Sequence, residues 1–223
     1  TDVETDGFID TMQRFGGQIS WRAQRGGHRK AYEINIALYD ALRGTIDAGE
    51  DDRGTDRYLC AHAIMLALEG IPAFYVHSLF ATRNDYARFQ RTGHPRSINR
   101  HQWQLEALAA EIADPASLHA EVFSRLQHLI QIRRHQKAFH PNATQFTLQL
   151  GSQLFGFWRQ SMDRRQSIFC IYNISAIPQS LFLSDINLIT TDDWHDLISG
   201  EHYAETTETI TLRPYQSVWI SNQ

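Results

Sequence analysis

The chain is poor in several things, and each shortage excludes a class. It has two cysteines in 223 residues, Cys60 and Cys170, both inside apolar runs, so no disulfide framework is implied and buried thiols in a reducing compartment are expected. No apolar run approaches the length of a membrane span. The first residues, TDVETDGFID, carry no Met, no basic segment and no apolar segment of the kind a secretory leader needs. They read like the interior of a gene product, and a fragment of a longer polypeptide is expected. There is no surplus of positive charge: 21 Lys and Arg against 25 Asp and Glu give a net charge of -4, which argues against nucleic acid or an anionic membrane as partner. Internal repeats and low-complexity tracts are also missing. The expected setting is cytoplasmic.

What is present is an ordinary globular composition, 42% hydrophobic and 21% charged, with room for a real core. Two periodicities divide the chain. Up to about Pro141 the apolar spacing is mostly helical. Val3, Phe8, Ile9, Met12 and Phe15 form one stripe, stopped by Gly16 and Gly17. Residues 36–43 read as helical and 43–55 as a polar loop. The segment RYLCAHAIMLALE follows Asp56 as cap and ends at Gly70, and IPAFYV after it reads as a strand buried on both faces, the mark of a parallel sheet. RHQWQLEALAAEI reads as another helix. The next is expected to start on Asp114 and Pro115, with Leu118, Val122, Leu126, Leu129 and Ile130 as its core face. From Thr144 the period drops to 2: QFTLQL, LFGFWRQ, SIFCIYNIS, SLFLS, TITLRP and SVWIS read as short antiparallel strands, with SMDRRQ as a hairpin turn. The fold class is α/β plus all-β, divided as 1–141 and 142–223, the second part an antiparallel β-sandwich.

Metal and nucleotide readings are weak. His128 and His135 share a helix face, but no HExxH or CxxC accompanies them, so solvated or core histidines are the better reading. The paired glycines in FGGQ and QRGGHRK match no phosphate-loop pattern. No metal or organic cofactor is expected. Two basic stretches remain. Arg22, Arg25, His28, Arg29 and Lys30 form a cluster directly before AYEIN, either a solvated loop or a rim for phosphate or carboxylate. Arg96 and Arg100, with Asn99 between them, fall in the long loop after the expected buried strand; a helical segment would align the two arginines. Such loops carry the chemistry in barrels of this type. No convincing acid and nucleophile pair for glycoside cleavage is present, and the run Glu50, Asp51, Asp52 reads as solvated surface.

YEIN at 32–35, the run GIPAFYVHSLFATRNDYARFQRTGHPRSINRHQW at 70–103 and LRPYQSVWIS at the end together resemble the sucrose phosphorylase subfamily of the α-amylase-type enzymes, glycoside hydrolase family 13. The resemblance covers essentially the whole chain. It implies the C-terminal part of a (β/α)8 TIM barrel with its acceptor loop, followed by the family's C-terminal β domain. It also implies that the family's three catalytic carboxylates lie upstream, so the chain is expected to be inactive alone and to need the upstream barrel half of the same polypeptide. Arg96 matches the arginine that holds the glucosyl unit; Tyr32 and Glu33 match the mobile loop of the acceptor site. Sucrose phosphorylases typically have Gln where Glu33 stands and an acidic residue near the position of Lys30.

That departure, with the basic rim of Arg29 and Lys30, points to an anionic glucoside such as glucosylglycerate. Sucrose, sucrose 6-phosphate and plain α-glucosidase chemistry are the alternatives. The implied partners are a sugar and inorganic phosphate, the latter as co-substrate. A chain that only binds carbohydrate, through Trp158 or Trp194, is the competing class, and core packing is the better reading of both rings.

Overall fold

The computed structural model describes residues 2–186, 193–203 and 209–223. The chain divides into two compact units, one of residues 1–58 and 74–125, the other of 59–73 and 126–223.

The first unit opens with helix α1 (Asp2–Arg14), which buries Ile9, Met12 and Phe15 or its flank. Gly16 takes φ +88, the left-handed value that ends a helix, and the Gly17 amide returns to the Met12 carbonyl at 2.8 Å. A Cβ on Gly16 would fall 2.0 Å from the Tyr86 hydroxyl, so this stop is also a point of close approach. The hairpin β1 (Gln18–Ala23) and β2 (Arg29–Asn35) follows, with a register shift between Ser20 and Trp21. This segment, which reads from the sequence as loop and extended stretches, is mostly strand, and its Gly26–Gly27 tip, both at positive φ, lets the chain reverse.

Next come α2 (Leu38–Ala41), the small pair β3 (Gly44–Thr45) and β4 (Gly49–Glu50), and helix α3 (Gly54–Ala67), which runs on into the second unit. Helices α4 (Val76–Leu79), α5 (Tyr86–Thr92) and α6 (Leu105–Ala113) and the start of α7 (Leu118–His135) complete the unit.

Several expectations change. Residues 71–75 form no strand: Ile71 is 84% exposed and Tyr75 52% exposed. A strand exists only by bonding to a neighbouring strand, and no described strand pairs with this run. Asp114 does not cap α7. Its carboxylate accepts the Ala116 amide in the preceding turn, and Ser117 Oγ accepts the amides of His119 and Ala120 at 3.0 and 3.3 Å. Asp56 lies in the first turn of α3 instead of before it. The helix expected from Arg100 begins at Leu105, since Trp103 Nε1 is tied to Thr82 Oγ1 at 2.9 Å. Val122, Leu126 and Leu129 of α7 are buried as expected.

In the second unit six strands form one antiparallel sheet in the order β10, β9, β12, β7, β6, β5: β5 (Thr144–Thr147), β6 (Leu154–Gln160), β7 (Ser167–Asn173), β9 (Trp194–Asp196), β10 (His202–Tyr203) and β12 (Ser217–Ser221). Strands β8 (Gln179–Phe182) and β11 (Thr209–Leu212) pair with each other. Alternation along β7 and β12 gives the sheet two buried faces. Phe169, Ile171, Val218 and Ile220 join Leu154, Leu181, Trp194 and Leu212 in one core. Tyr172 and Trp219 lie on the other face, where Trp219 Nε1 donates to the Tyr172 hydroxyl and that hydroxyl donates to the Ala63 carbonyl of α3. Trp158 packs at the first core and Trp194 is 3% exposed, which leaves neither ring free as a sugar platform. Cys60 and Cys170 are buried free thiols.

Candidate functional site

The residues singled out in the sequence meet in the first unit, around the β1–β2 hairpin. Pleating sorts them. Glu33 pairs with Ser20 and Lys30 with Arg22, whereas Ala31 pairs with Trp21 and Arg29 with Ala23; the register shift leaves Tyr32 as the extra residue, so Glu33 and Lys30 share the face of Ser20 and Arg22, and Arg29 shares the opposite face with Trp21. Ring contacts agree with this sorting. The Arg22 guanidinium lies 4.3 Å from the Tyr32 ring centroid, and Arg29 lies 6.0 Å from that of Trp21. One face thus holds Glu33 with Lys30 and Arg22, and the other Arg29 with Trp21.

Arg96 joins the Glu33 side. Helix α5 ends at Gly93 in the left-handed conformation, and a short 3₁₀ turn, Pro95–Ser97, presents the side chain. Arg96 Nε donates to Glu33 Oε2 at 2.8 Å, with the side chains 53% and 34% exposed. This hydrogen bond and the charge of Glu33 hold the guanidinium proton more firmly than usual. Among the described residues Nε is the nitrogen engaged, which leaves the terminal nitrogens for a ligand. Asn99 faces elsewhere: its Nδ2 donates to the Ile36 carbonyl at 3.4 Å, and its own carbonyl accepts from the Tyr75 hydroxyl. The residues 95–97 form one 3₁₀ turn only, so Arg96 and Arg100 are not aligned on a helix; Arg100 is exposed.

Sequence reading missed the residues behind this surface. Asp40 is buried at 2% exposure and accepts Arg83 Nε and Nη2 on Oδ1, at 3.0 and 2.9 Å, and the Asn84 amide on Oδ2 at 2.6 Å. Asp85 caps α5 through the Arg88 amide and accepts from His101 Nδ1 at 2.7 Å. Burial opposes its ionisation, but the Arg88 amide and His101 outweigh burial and hold its carboxyl below the usual range. A cavity of about 210 Å³ is lined by Tyr39, Tyr58, Tyr75, His77, Thr82 and Asn99, among others. His77 Nδ1 is buried without a hydrogen-bond partner among the described residues, and burial and then the nearby His101 push its pKa down. For His77, Thr82, Asp85 and His101 the sequence signal was their place in the long run after Gly70; Tyr39, Asp40 and Tyr58 carried none.

The arrangement is suited to binding an anion or a polar sugar. Arg96 offers a fork to carboxylate, phosphate or sugar hydroxyls. Glu33, Asp40 and Asp85, the carboxylates of this surface, are each committed to a partner. Among the described residues no group of three or more metal-ligating side chains occurs, and no helix is long and apolar enough to cross a membrane.

The solved structures most like the chain define its class by fold. The sucrose 6F-phosphate phosphorylase of Thermoanaerobacter thermosaccharolyticum superposes with a TM-score of 0.60 at 24% identity, over 75% of this chain and 31% of that one. The amylase-type structure of AmyP with maltose gives 0.65 at 14% identity over 85% of this chain and 39% of its own. The fold is thus shared with α-amylase-family glycoside hydrolases. No family model matches the chain.

Sequence relatives narrow this further. The glucosylglycerate phosphorylase of Allomeiothermus silvanus is 35% identical over 205 residues, 92% of this chain and 34% of that protein. Its Escherichia coli counterpart is 30% identical over 95% of this chain and 36% of its own length. The sucrose phosphorylase of Streptococcus mutans is 32% identical over 62% of the chain and 26% of its own length. The homologues of this chain are glucosylglycerate and sucrose phosphorylases, and it spans about a third of the length of the first of them.

Proposed function

We propose that the chain is the C-terminal part of a retaining α-glucoside phosphorylase that turns an anionic α-glucoside such as glucosylglycerate, with phosphate, into α-glucose 1-phosphate. In this reading residues 1–141 supply the end of a (β/α)8 barrel and its acceptor loop, and 142–223 supply a β-sandwich domain. The observation that carries it is the Arg96–Glu33 pair: two residues from opposite ends of the unit, both nominated from the sequence, meet at 2.8 Å on an open surface. A guanidinium there suits the glucosyl unit and an anionic neighbour, and Lys30 on the same hairpin face adds a second cation.

The division of labour follows from what the site lacks. Retaining transfer needs a nucleophilic carboxylate and an acid/base carboxylate about 5 Å apart. The upstream polypeptide supplies them in this reading, and phosphate replaces water in attacking the glucosyl-enzyme. Arg96 acts by positioning, fixing the ring so that the reacting atoms line up. The basic hairpin neutralises phosphate and the acceptor carboxylate.

The test uses the full-length polypeptide that contains this chain. Phosphate-dependent release of glucose 1-phosphate is measured with glucosylglycerate, sucrose and sucrose 6-phosphate in parallel. Release from glucosylglycerate, lost in Arg96→Ala, is the expected result. Preference for sucrose refutes the anionic-acceptor reading, and hydrolysis without phosphorolysis refutes the phosphorylase.

A further inference from the structure

We infer that Asp40 is a positioning residue of this site: through Arg83–Asp85 it sets the distance between the strand that carries Glu33 and the turn that carries Arg96. The inference rests on the functional reading only for the meaning of that distance.

The geometry is a short bar with an anchor at each end. Asp40 Oδ1 takes both Arg83 donors and Oδ2 takes the Asn84 amide, which fixes the Arg83–Asn84 backbone from inside the unit. Arg43 adds a second cation 4.0 Å from the same carboxylate. At one end, Asn84 Oδ1 accepts the Ala37 amide at 2.8 Å, two residues past the end of β2, the strand of Glu33. At the other end, the Asp85 amide donates to the Ile98 carbonyl at 2.7 Å, two residues after Arg96, and Ile98 is fully buried. Asn99 adds a parallel tie, from the Arg96 loop to the Ile36 carbonyl. Residues 36–40 are thereby tied to 83–85, and 83–85 to 96–99, with the buried Asp40 carboxylate as the anchor of the middle segment.

Arg96 and Glu33 are both substantially exposed. A pair of flexible exposed side chains does not fix its own spacing, because holding it costs side-chain entropy and water screens the attraction. The backbone beneath has to do so. Small misplacements at a substrate-positioning residue are costly, on the order of a hundredfold for about 1 Å. An Asp40 that holds both backbones acts at that point without touching the ligand.

The experiment follows the Arg96 Nε–Hε resonance in ¹⁵N spectra of the 223-residue chain, with Glu33→Gln as the unpaired reference. Asp40→Asn is expected to move that resonance most of the way to the reference. Asn84→Ala, which removes the Ala37 tie and an exposed contact to the Tyr86 hydroxyl but keeps Asp40, is expected to move it in the same direction and decides the matter if Asp40→Asn does not fold. Tyr39→Phe, which loses a hydroxyl contact to Thr55 in the same unit, should leave it in place.

An Arg96 signal unchanged in folded Asp40→Asn or Asn84→Ala overturns the inference, as does an equal shift in Tyr39→Phe. In the full-length enzyme, Asp40→Asn should lower kcat for the glucoside about tenfold with KM changed less than about threefold, the signature of lost positioning. A wild type without phosphorolysis would end the functional reading, and the resonance would still decide the role of Asp40.

Discussion

His77 is the residue of the first unit most exposed to a change of pH. Its ring stands edge-on to Tyr75 with centroids 4.9 Å apart, its Nδ1 is buried without a partner among the described residues, and burial and His101 push its pKa down. Sign follows directly. When the folded-state pKa is below the ordinary value of about 6.5, the unfolded chain takes up the proton first, so stability is full above that value and falls as pH drops below it. The midpoint of thermal unfolding is expected to be lower at pH 5 than at pH 7.5. In His77→Gln that difference should shrink, read by circular dichroism at the two pH values. Asp85 adds to the acid loss lower down, since a depressed carboxyl gives up its contribution only as pH falls through its folded value.

Among the elements, α3 has the end that is closed by side chains from elsewhere in the second unit. Its last carbonyls have no partner within the helix. Arg159 of β6 donates from Nη1 to the Ala67 carbonyl at 2.6 Å and from Nη2 to the His140 carbonyl at 3.0 Å. Arg133 of α7 donates to the carbonyls of Leu66 and Gly70. Arg159 is fully buried, and its guanidinium also lies over the Phe139 ring. Replacing it by Met leaves buried carbonyls without donors, and the expected loss is about 3 kcal/mol, measured by urea unfolding of the chain followed through Trp fluorescence. A loss below about 1 kcal/mol would mean that water reaches these carbonyls.

For the whole molecule, the telling feature is Ile71–Val76, an apolar run that pairs with no described strand. Ile71, Tyr75 and Val76 are all more than half exposed. Exposed apolar segments without pairing promote association. The isolated chain is therefore expected to self-associate, with Ile71→Lys moving it toward monomer in sedimentation velocity. Unchanged sedimentation would show that this run is not the contact. The same openness fits a chain that spans about a third of its relatives' length.

The sequence by itself determined what depends on local pattern and on family likeness. Six of the β strands of the second unit were legible because period 2 with turn residues between them is a local signal, and the two shortest, β9 and β10, were missed because two or three residues carry no period. The stop at Gly16 and the core face of α7 were read for the same reason. Arg96, Tyr32, Glu33, Arg29 and Lys30 were nominated through resemblance and charge. Tertiary structure decided the rest. Whether 71–75 becomes a strand depends on neighbours, and no local property supplies them. Which hairpin residues share a face depends on register, and the shift at Ser20 and Trp21 is invisible in composition. Asp40 looked like any acidic residue of a short helix. Its role exists only because a carboxylate buried at 2% exposure must be satisfied, and the groups that satisfy it come from a segment more than forty residues away.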